Sequence, residues 1–112
     1  YFVGKSYLNP LTDSSKTNLF LANVTFEPGC RNNWHIHHAT KGGGQILICT
    51  AGYGWYQEEG KEAVSLEPGM VITIPANVKH WHGAIAVEVP GENTSNEWCE
   101  AVLDNEYNKL GE

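Results

Sequence analysis

Two short stretches decide the fold of this chain: Asn33-Trp34-His35-Ile36-His37-His38 and Lys79-His80-Trp81-His82-Gly83. All five histidines fall in these two stretches, and each stretch contains a His-x-His pair. In an extended strand, residues two positions apart point to the same face, about 6.6 Å from each other. Each pair can therefore direct two imidazoles, the commonest metal-binding side chain, into one space. The two stretches predict a metal site inside a small β-structure.

The rest of the chain alternates short β-patterns with turn signals such as Pro-Gly and Gly-x-Gly. Short strands at roughly 8–12-residue spacing are typical of an all-β sandwich or barrel. Leu8-Asn9-Pro10 predicts a turn, residues 12–16 and 39–44 predict loops, and residues 92–96 predict another loop. Asp104 to Gly111 predicts a short C-terminal helical turn, with Asp104 as its N-cap. We expect strands over residues 1–7, 19–27, 33–38, 45–50, 55–57, 62–66, 70–74, 78–84, 85–89 and 97–103.

The composition favours one globular domain and excludes several partners. The chain has 112 residues, of which 41% are hydrophobic, and a formal net charge of −6. The acidic balance and the lack of a basic run argue against nucleic acid and anionic membranes as partners. Without an apolar stretch of membrane-spanning length or a signal-peptide pattern, a cytoplasmic location is expected. Cys30, Cys49 and Cys99 are odd in number and widely spaced, which favours buried free thiols in a reducing compartment.

The spacing of glycines and histidines over residues 29–83 resembles the two sequence motifs of the cupin superfamily. The first motif corresponds to Gly29, His35, His37, Gln45 and Gly52, with Gln45 assigned by counting back from Gly52. The second motif corresponds to Gly69, Pro75, Asn77 and His80. More narrowly, residues 44–48, 54–57 and 80–84 look like the small cupins that occur alone or attached to carboxymuconolactone-decarboxylase-like domains. Some relatives of that group are manganese-dependent hydroxynitrile lyases.

The resemblance implies a fold, an assembly and a set of metal ligands. The fold would be a double-stranded β-helix, a jelly-roll β-barrel with the metal at its open end, present as a homodimer. The implied ligands are His35, His37, Gln45 and His80. Residues 1–112 would form a single domain, and a first residue other than methionine fits a segment of a longer polypeptide. Because similar chains continue through a polar turn after His-Gly-Ala, we expect a loop to be missing between Ala84 and Ile85.

The implied ligand set would leave the metal with nearly its full double charge, because it contains no carboxylate. Such an ion is a strong Lewis acid that polarises a bound oxygen. Manganese is the first choice from the resemblance, while the ligand types also suit Fe, Ni, Co or Zn. His82 shares the face of His80 and is the candidate catalytic residue, as a general base, with a supporting partner or an extra ligand as alternatives. His38 has the opposite parity to His37 and is expected to face outward.

The sequence leaves three functions open. The first is a metal-dependent enzyme, of lyase or decarboxylase-like, isomerase or oxygenase type, acting on a small organic substrate. The second is a cupin that senses or stores a small molecule without turnover, and the third is an accessory domain of a decarboxylase-like protein. Tyr53, Trp55 and Trp81 could line a substrate pocket, although core or dimer packing is the commoner role of aromatic residues on barrel strands.

Overall fold

The computed structural model describes residues 2–13, 15–16, 20–27, 29–83, 85–88 and 91–111. Within these ranges the chain forms a helix α1 (Asp104–Asn108), followed by a 3₁₀ turn at Lys109–Gly111. It also forms fourteen strands: β1 (Phe2–Val3), β2 (Ser6–Pro10), β3 (Phe20–Phe26), β4 (Arg31–Asn32), β5 (His35–His38), β6 (Lys41–Gly42), β7 (Gln45–Ile48), β8 (Gly54–Glu58), β9 (Val64–Leu66), β10 (Val71–Ile74), β11 (Lys79–His82), β12 (Ile85–Glu88), β13 (Gly91–Glu92) and β14 (Ser95–Trp98).

Two antiparallel sheets of five strands make up most of the structure. One has the order β10-β7-β12-β3-β2 and the other the order β14-β5-β11-β8-β9, and two short pairs, β1-β4 and β13-β6, complete the arrangement. Apart from the pairs β2-β3 and β8-β9, neighbours in each sheet are not consecutive in the chain, as in a jelly roll, where the chain crosses repeatedly between sheets. The predicted all-β barrel with a short C-terminal helical turn is confirmed.

The core lies between the two large sheets. Leu47 and Ile74 come from one sheet, Tyr56 and Leu66 come from the other, and all four pack into one buried cluster with Cys49. Strand β7 alternates between buried and half-buried positions, so Gln45 points to the same side as Leu47. The core thereby directs the amide of Gln45 into the barrel.

The N-terminal segment differs from the prediction. Pro10 was expected in a turn, but β2 continues to Pro10, which lies opposite Ala22 of β3. Since β2 is the last strand of its sheet, a residue without a backbone N–H can occupy it without breaking an internal ladder. The predicted loop at 39–44 likewise contains β6, which pairs with β13.

The C-terminal segment also differs from the prediction, in its last strand and at the start of its helix. The final strand covers Ser95–Trp98 and not residues 97–103, so part of the predicted loop at 92–96 is paired with β5. Asp104 is the first residue of α1, and the N-cap is Leu103 without a side-chain capping bond. The carboxylate of Asp104 instead accepts a hydrogen bond from the buried guanidinium of Arg31 at 2.7 Å. Arg31 also donates to the carbonyl oxygen of Val102, which ties the terminal segment to the barrel.

Several predictions fall on residues outside the described ranges. These include the start of the strand at Leu19, the turn residue Pro28 and the loop expected after Ala84. None of the helices in the described ranges is long and apolar enough to cross a membrane.

Candidate metal centre

Two neighbouring strands carry the four inward-facing histidines. Strands β5 and β11 pair antiparallel, with His80 directly opposite His35. His35, His37, His80 and His82 are all buried, with exposed fractions between 0% and 8%. His38 faces the other way, has 39% of its side chain exposed and contacts Glu97 at 2.8 Å. The parity argument from the sequence is therefore confirmed for all five histidines.

The side-chain oxygen of Gln45 lies at the centre of this cluster. Its Oε1 is 3.0 Å from Nε2 of His80 and 3.2 Å from Nε2 of His37. The ring of His35 lies 4.3 Å from that of His80 and 5.0 Å from that of His37, centroid to centroid. The structure thus brings together all four residues that the sequence suggested as ligands.

His82 belongs to the same cluster. One ring nitrogen from each of His35, His80 and His82 lies within 4.8 Å of the other two. His37 approaches the group through Gln45, whereas His82 lies beside His80 with nearly parallel rings. The geometry therefore provides a three-histidine group, to which His37 and Gln45 are joined at one side.

The hydrogen bonds of three rings fix which nitrogen carries the proton. Nδ1 of His35 lies 2.8 Å from the carbonyl oxygen of Asn33, and Nδ1 of His80 lies 2.9 Å from that of Val78. Nδ1 of His37 lies 2.8 Å from the side-chain oxygen of Asn96. Because a carbonyl oxygen can only accept, each Nδ1 carries the proton and donates it. In a neutral ring the lone pair is then on Nε2.

Burial keeps His35 and His80 neutral at ordinary pH. Desolvation, followed by the nearby charge of His80, lowers the pKa of His35 to about 3. Desolvation is also the largest cause that lowers the pKa of His80 to about 4. A buried ring that stays neutral is in the state required of a metal ligand.

The resulting arrangement fits a cation. The Nε2 lone pairs of His37 and His80 face the Oε1 of Gln45, which is itself an acceptor, so no proton is available to join them. A buried group of acceptors without a donor is unfavourable, and a positive ion between them removes that cost. Imidazole nitrogen with an amide oxygen suits a divalent transition metal.

His82 is held by Asn32, a residue that the sequence reasoning did not identify. The side-chain oxygen of Asn32 accepts a hydrogen bond from the backbone N–H of His82 at 2.8 Å. This bond orients the amide, so its nitrogen, 3.0 Å from Nε2 of His82, donates to that ring nitrogen. In neutral His82 the proton then lies on Nδ1.

An apolar cavity of about 220 Å³ opens next to the histidines. His35, His37, Gln45 and His82 line its polar side, together with Asn32 and Asn96. The ring of Trp98 lies 4.8 Å from that of His35. The apolar wall is formed by Phe2, Leu8, Phe20, Ala22, Val24 and Phe26 with Trp98. A small organic molecule could therefore place an apolar group against this wall and a polar atom at the histidines.

The three aromatic residues singled out from the sequence do not line this cavity. Trp81 is 1% exposed and packs against Tyr107, which confirms a core role for it. Tyr53 is 85% exposed and borders a separate cavity of about 270 Å³ that contains no histidine in its wall. The pocket aromatics come instead from the β1, β3 and β14 segments.

The chain belongs to the cupin family, since a model of the cupin domain matches residues 22–95. A three-histidine cluster in a cupin indicates a site for a divalent metal.

Comparison with individual proteins agrees with this family. The chain is 36% identical over 118 residues to an (R)-mandelonitrile lyase from Granulicella tundricola, covering 97% of this chain and 87% of that protein. It resembles the crystal structure of a cupin-like protein from Thermotoga maritima at a TM-score of 0.80 and 37% identity, covering 96% and 86% of the two chains. A structure of DMSP lyases shares the fold, with a TM-score of 0.61 at 19% identity, covering 85% of this chain and 53% of that one.

Proposed function

We propose that this protein is a metal-dependent lyase that acts on a small organic substrate combining a hydroxyl group with an apolar group. The observation that carries the proposal is the convergence of neutral imidazole nitrogens and the Gln45 oxygen at one end of an apolar cavity. The proposed ligands are His35, His37, Gln45 and His80. Manganese is the proposed ion, with Fe, Ni, Co or Zn as the alternatives to be separated by metal analysis.

Similarity to the mandelonitrile lyase supports a lyase over other reactions. The curated relative is a mandelonitrile lyase, and it aligns over nearly the whole of this chain. A cyanohydrin of that kind carries a hydroxyl group, a nitrile and a phenyl ring on one carbon. The phenyl ring matches the wall that Phe20, Phe26 and Trp98 contribute to the cavity. We therefore choose mandelonitrile as the first substrate to test.

The metal and the side chains of the protein would have separate roles in the reaction. A bound divalent ion supplies Lewis acidity toward an oxygen of the substrate. The aromatic wall binds the apolar group and excludes water. Cleavage removes the hydroxyl proton, turns the C–O bond into the carbonyl of benzaldehyde and breaks the bond to the nitrile carbon. The nitrile carbon keeps the electron pair of the broken bond, leaves as cyanide and takes up a proton. In the neutral His82 ring the lone pair is on Nε2, so that nitrogen would accept the hydroxyl proton in place of the hydrogen bond from Asn32 and would return the proton to the cyanide.

A comparison of two histidine variants tests the proposal. Benzaldehyde released from mandelonitrile is followed by absorbance, with the wild type, His82→Ala and His38→Ala each loaded with Mn²⁺. His82→Ala should keep its metal and lose activity by about 10²–10⁴-fold, as expected for removal of an acid–base group. His38→Ala is the matched control, because His38 faces outward, and should retain activity. A metal-loaded wild type that binds mandelonitrile without turnover would refute the lyase and favour a sensing or storage cupin.

We further propose a homodimer, as the resemblance implies. The last strand of its sheet, β2, carries Tyr7 and Leu8, which are 56% and 59% exposed, and Leu11 follows at 56%. A second copy that covered this edge would bury the apolar side chains. Light scattering after gel filtration would report about twice the chain mass, and a mass of one chain would contradict the dimer. Membership of the carboxymuconolactone-decarboxylase-associated group, the single domain and the cytoplasmic location stay predictions.

A further inference from the structure

We propose that Asn96 serves both halves of the site: its side-chain oxygen positions His37 as a metal ligand, and its amide nitrogen is a hydrogen-bond donor that selects substrates with an acceptor group. The substrate class is a small molecule that joins an apolar ring to a nitrile or carbonyl acceptor. The second role rests on the proposed function, whereas the first rests only on the proposed metal site with His37 among its ligands.

The backbone register explains the contact with His37. Asn96 of β14 lies directly opposite His37 of β5, so both side chains project from the same face of the sheet. The Oδ1 of Asn96 accepts a hydrogen bond from Nδ1 of His37 at 2.8 Å. The bond keeps the His37 ring turned with Nε2 toward Gln45. Partners of this kind fix the tautomer and orientation of a ligating imidazole.

His37 differs in this respect from the other two rings. His35 and His80 donate to backbone carbonyl oxygens, which remain when a side chain is replaced. Among these three rings, His37 alone has a side chain as the partner of its Nδ1. A substitution at Asn96 should therefore alter one proposed ligand while the other two keep their orientation.

The amide nitrogen of Asn96 remains available for a ligand. With Oδ1 committed to His37, the planar amide turns its NH₂ group away from that ring. Among the residues that the structure describes, Nδ2 has no hydrogen-bond partner, and Asn96 is exposed and lines the apolar cavity. A donor beside an apolar wall distinguishes a ligand with an acceptor from one without it, because only the first gains a hydrogen bond to the amide in addition to its contacts with the wall.

Two substitutions separate the roles. Asn96→Asp keeps an acceptor oxygen for His37 but removes the NH₂ group, whereas Asn96→Leu has a similar shape and removes both. Affinity for Mn²⁺ is measured by competition with a chelator. Asn96→Leu should weaken it by about 10- to 100-fold, while Asn96→Asp should bind Mn²⁺ as well as the wild type or better.

The donor role is tested with two probes that cannot react. Phenylacetonitrile carries the ring and the nitrile without a hydroxyl group, and toluene carries the ring alone. Equilibrium dialysis at saturating Mn²⁺ gives the preference for phenylacetonitrile over toluene, which should fall by about three- to tenfold in Asn96→Asp. Glu97→Gln is the control, because Glu97 contacts the outward His38, and both readouts should stay at wild-type values.

Each role has its own contradicting result. Asn96→Leu with wild-type Mn²⁺ affinity would overturn the positioning of His37, and Asn96→Asp with an unchanged probe preference would overturn the donor. Thermal melting of each variant verifies that it is folded. Neither readout requires turnover, so a wild type that binds Mn²⁺ and phenylacetonitrile without cleaving mandelonitrile would refute the lyase and leave the role of Asn96 standing.

Discussion

The metal-free protein should lose stability as the pH falls from about 6.5 toward 5. Burial lowers the pKa of His35 to about 3 and that of His80 to about 4 in the folded state. In the unfolded chain both rings return to an ordinary histidine pKa near 6.5. Below that pH the unfolded chain binds protons that the folded chain does not bind, so the unfolding free energy decreases with falling pH. The stabilisation is complete above about pH 6.5 and is lost as the pH drops toward the folded values.

The magnitude follows from the number of protons. One proton difference changes the unfolding free energy by about 1.4 kcal/mol per pH unit. Between pH 6 and pH 5 both rings remain neutral in the folded state, while most unfolded chains carry both protons. The expected loss is roughly 2–3 kcal/mol across that unit. The lowered pKa values of Glu58 and Glu100 act at more acidic pH and contribute little in this window.

Urea denaturation of the metal-free protein at several pH values measures this slope. In His80→Gln, which keeps a neutral polar side chain, the slope should drop to about half. His38→Gln is the matched control and should leave it unchanged, because His38 is on the outer face. A stability that is flat between pH 6.5 and 5 would show that the rings protonate as readily in the folded state as in the unfolded chain, and would refute the reasoning.

Four further substitutions test the scaffold by chemical denaturation. Gly44→Ala should cost at least about 2 kcal/mol, because φ is +94° and an added Cβ would meet the carbonyl oxygen of Ile74; a cost below 0.5 kcal/mol would contradict this contact. Leu47→Ala should cost about 2–5 kcal/mol, since Leu47 is 1% exposed in the core, and a near-neutral result would place it at the surface. Arg31→Met should cost about 1–3 kcal/mol, because the hydrogen bonds of the buried guanidinium are lost. Asp104→Asn should cost less than about 1 kcal/mol, because the Asp104 side chain is 79% exposed. Equal costs of the two substitutions would contradict this difference.

The inner face of the barrel is predictable from the sequence. Residues two apart on a strand share a face, so strand alternation alone places His35 with His37, and His80 with His82, on the inward side. The same rule places His38 outward, as the structure confirms. These predictions succeed because they depend on local backbone geometry.

The supporting asparagines could not be predicted in this way. Asn96 lies in a polar run without apolar alternation, and only its pairing with β5 makes that run a strand. Asn32 reaches His82 across 50 positions of sequence. Both contacts depend on which strands become neighbours, and the local sequence pattern does not predict strand pairing. The cavity wall has the same origin, since Phe2, Phe20 and Trp98 meet only in the folded barrel.

The metal content of the purified protein tests the central claim most directly. Plasma mass spectrometry should find about one divalent ion per chain in the wild type, with the ion lost in His80→Ala. Gln45→Ala shows whether the amide oxygen is a ligand, since the ion is retained if the histidines suffice. A wild type that contains no metal and takes up none on reconstitution would contradict the account, and the cluster would then be a buried set of neutral histidines.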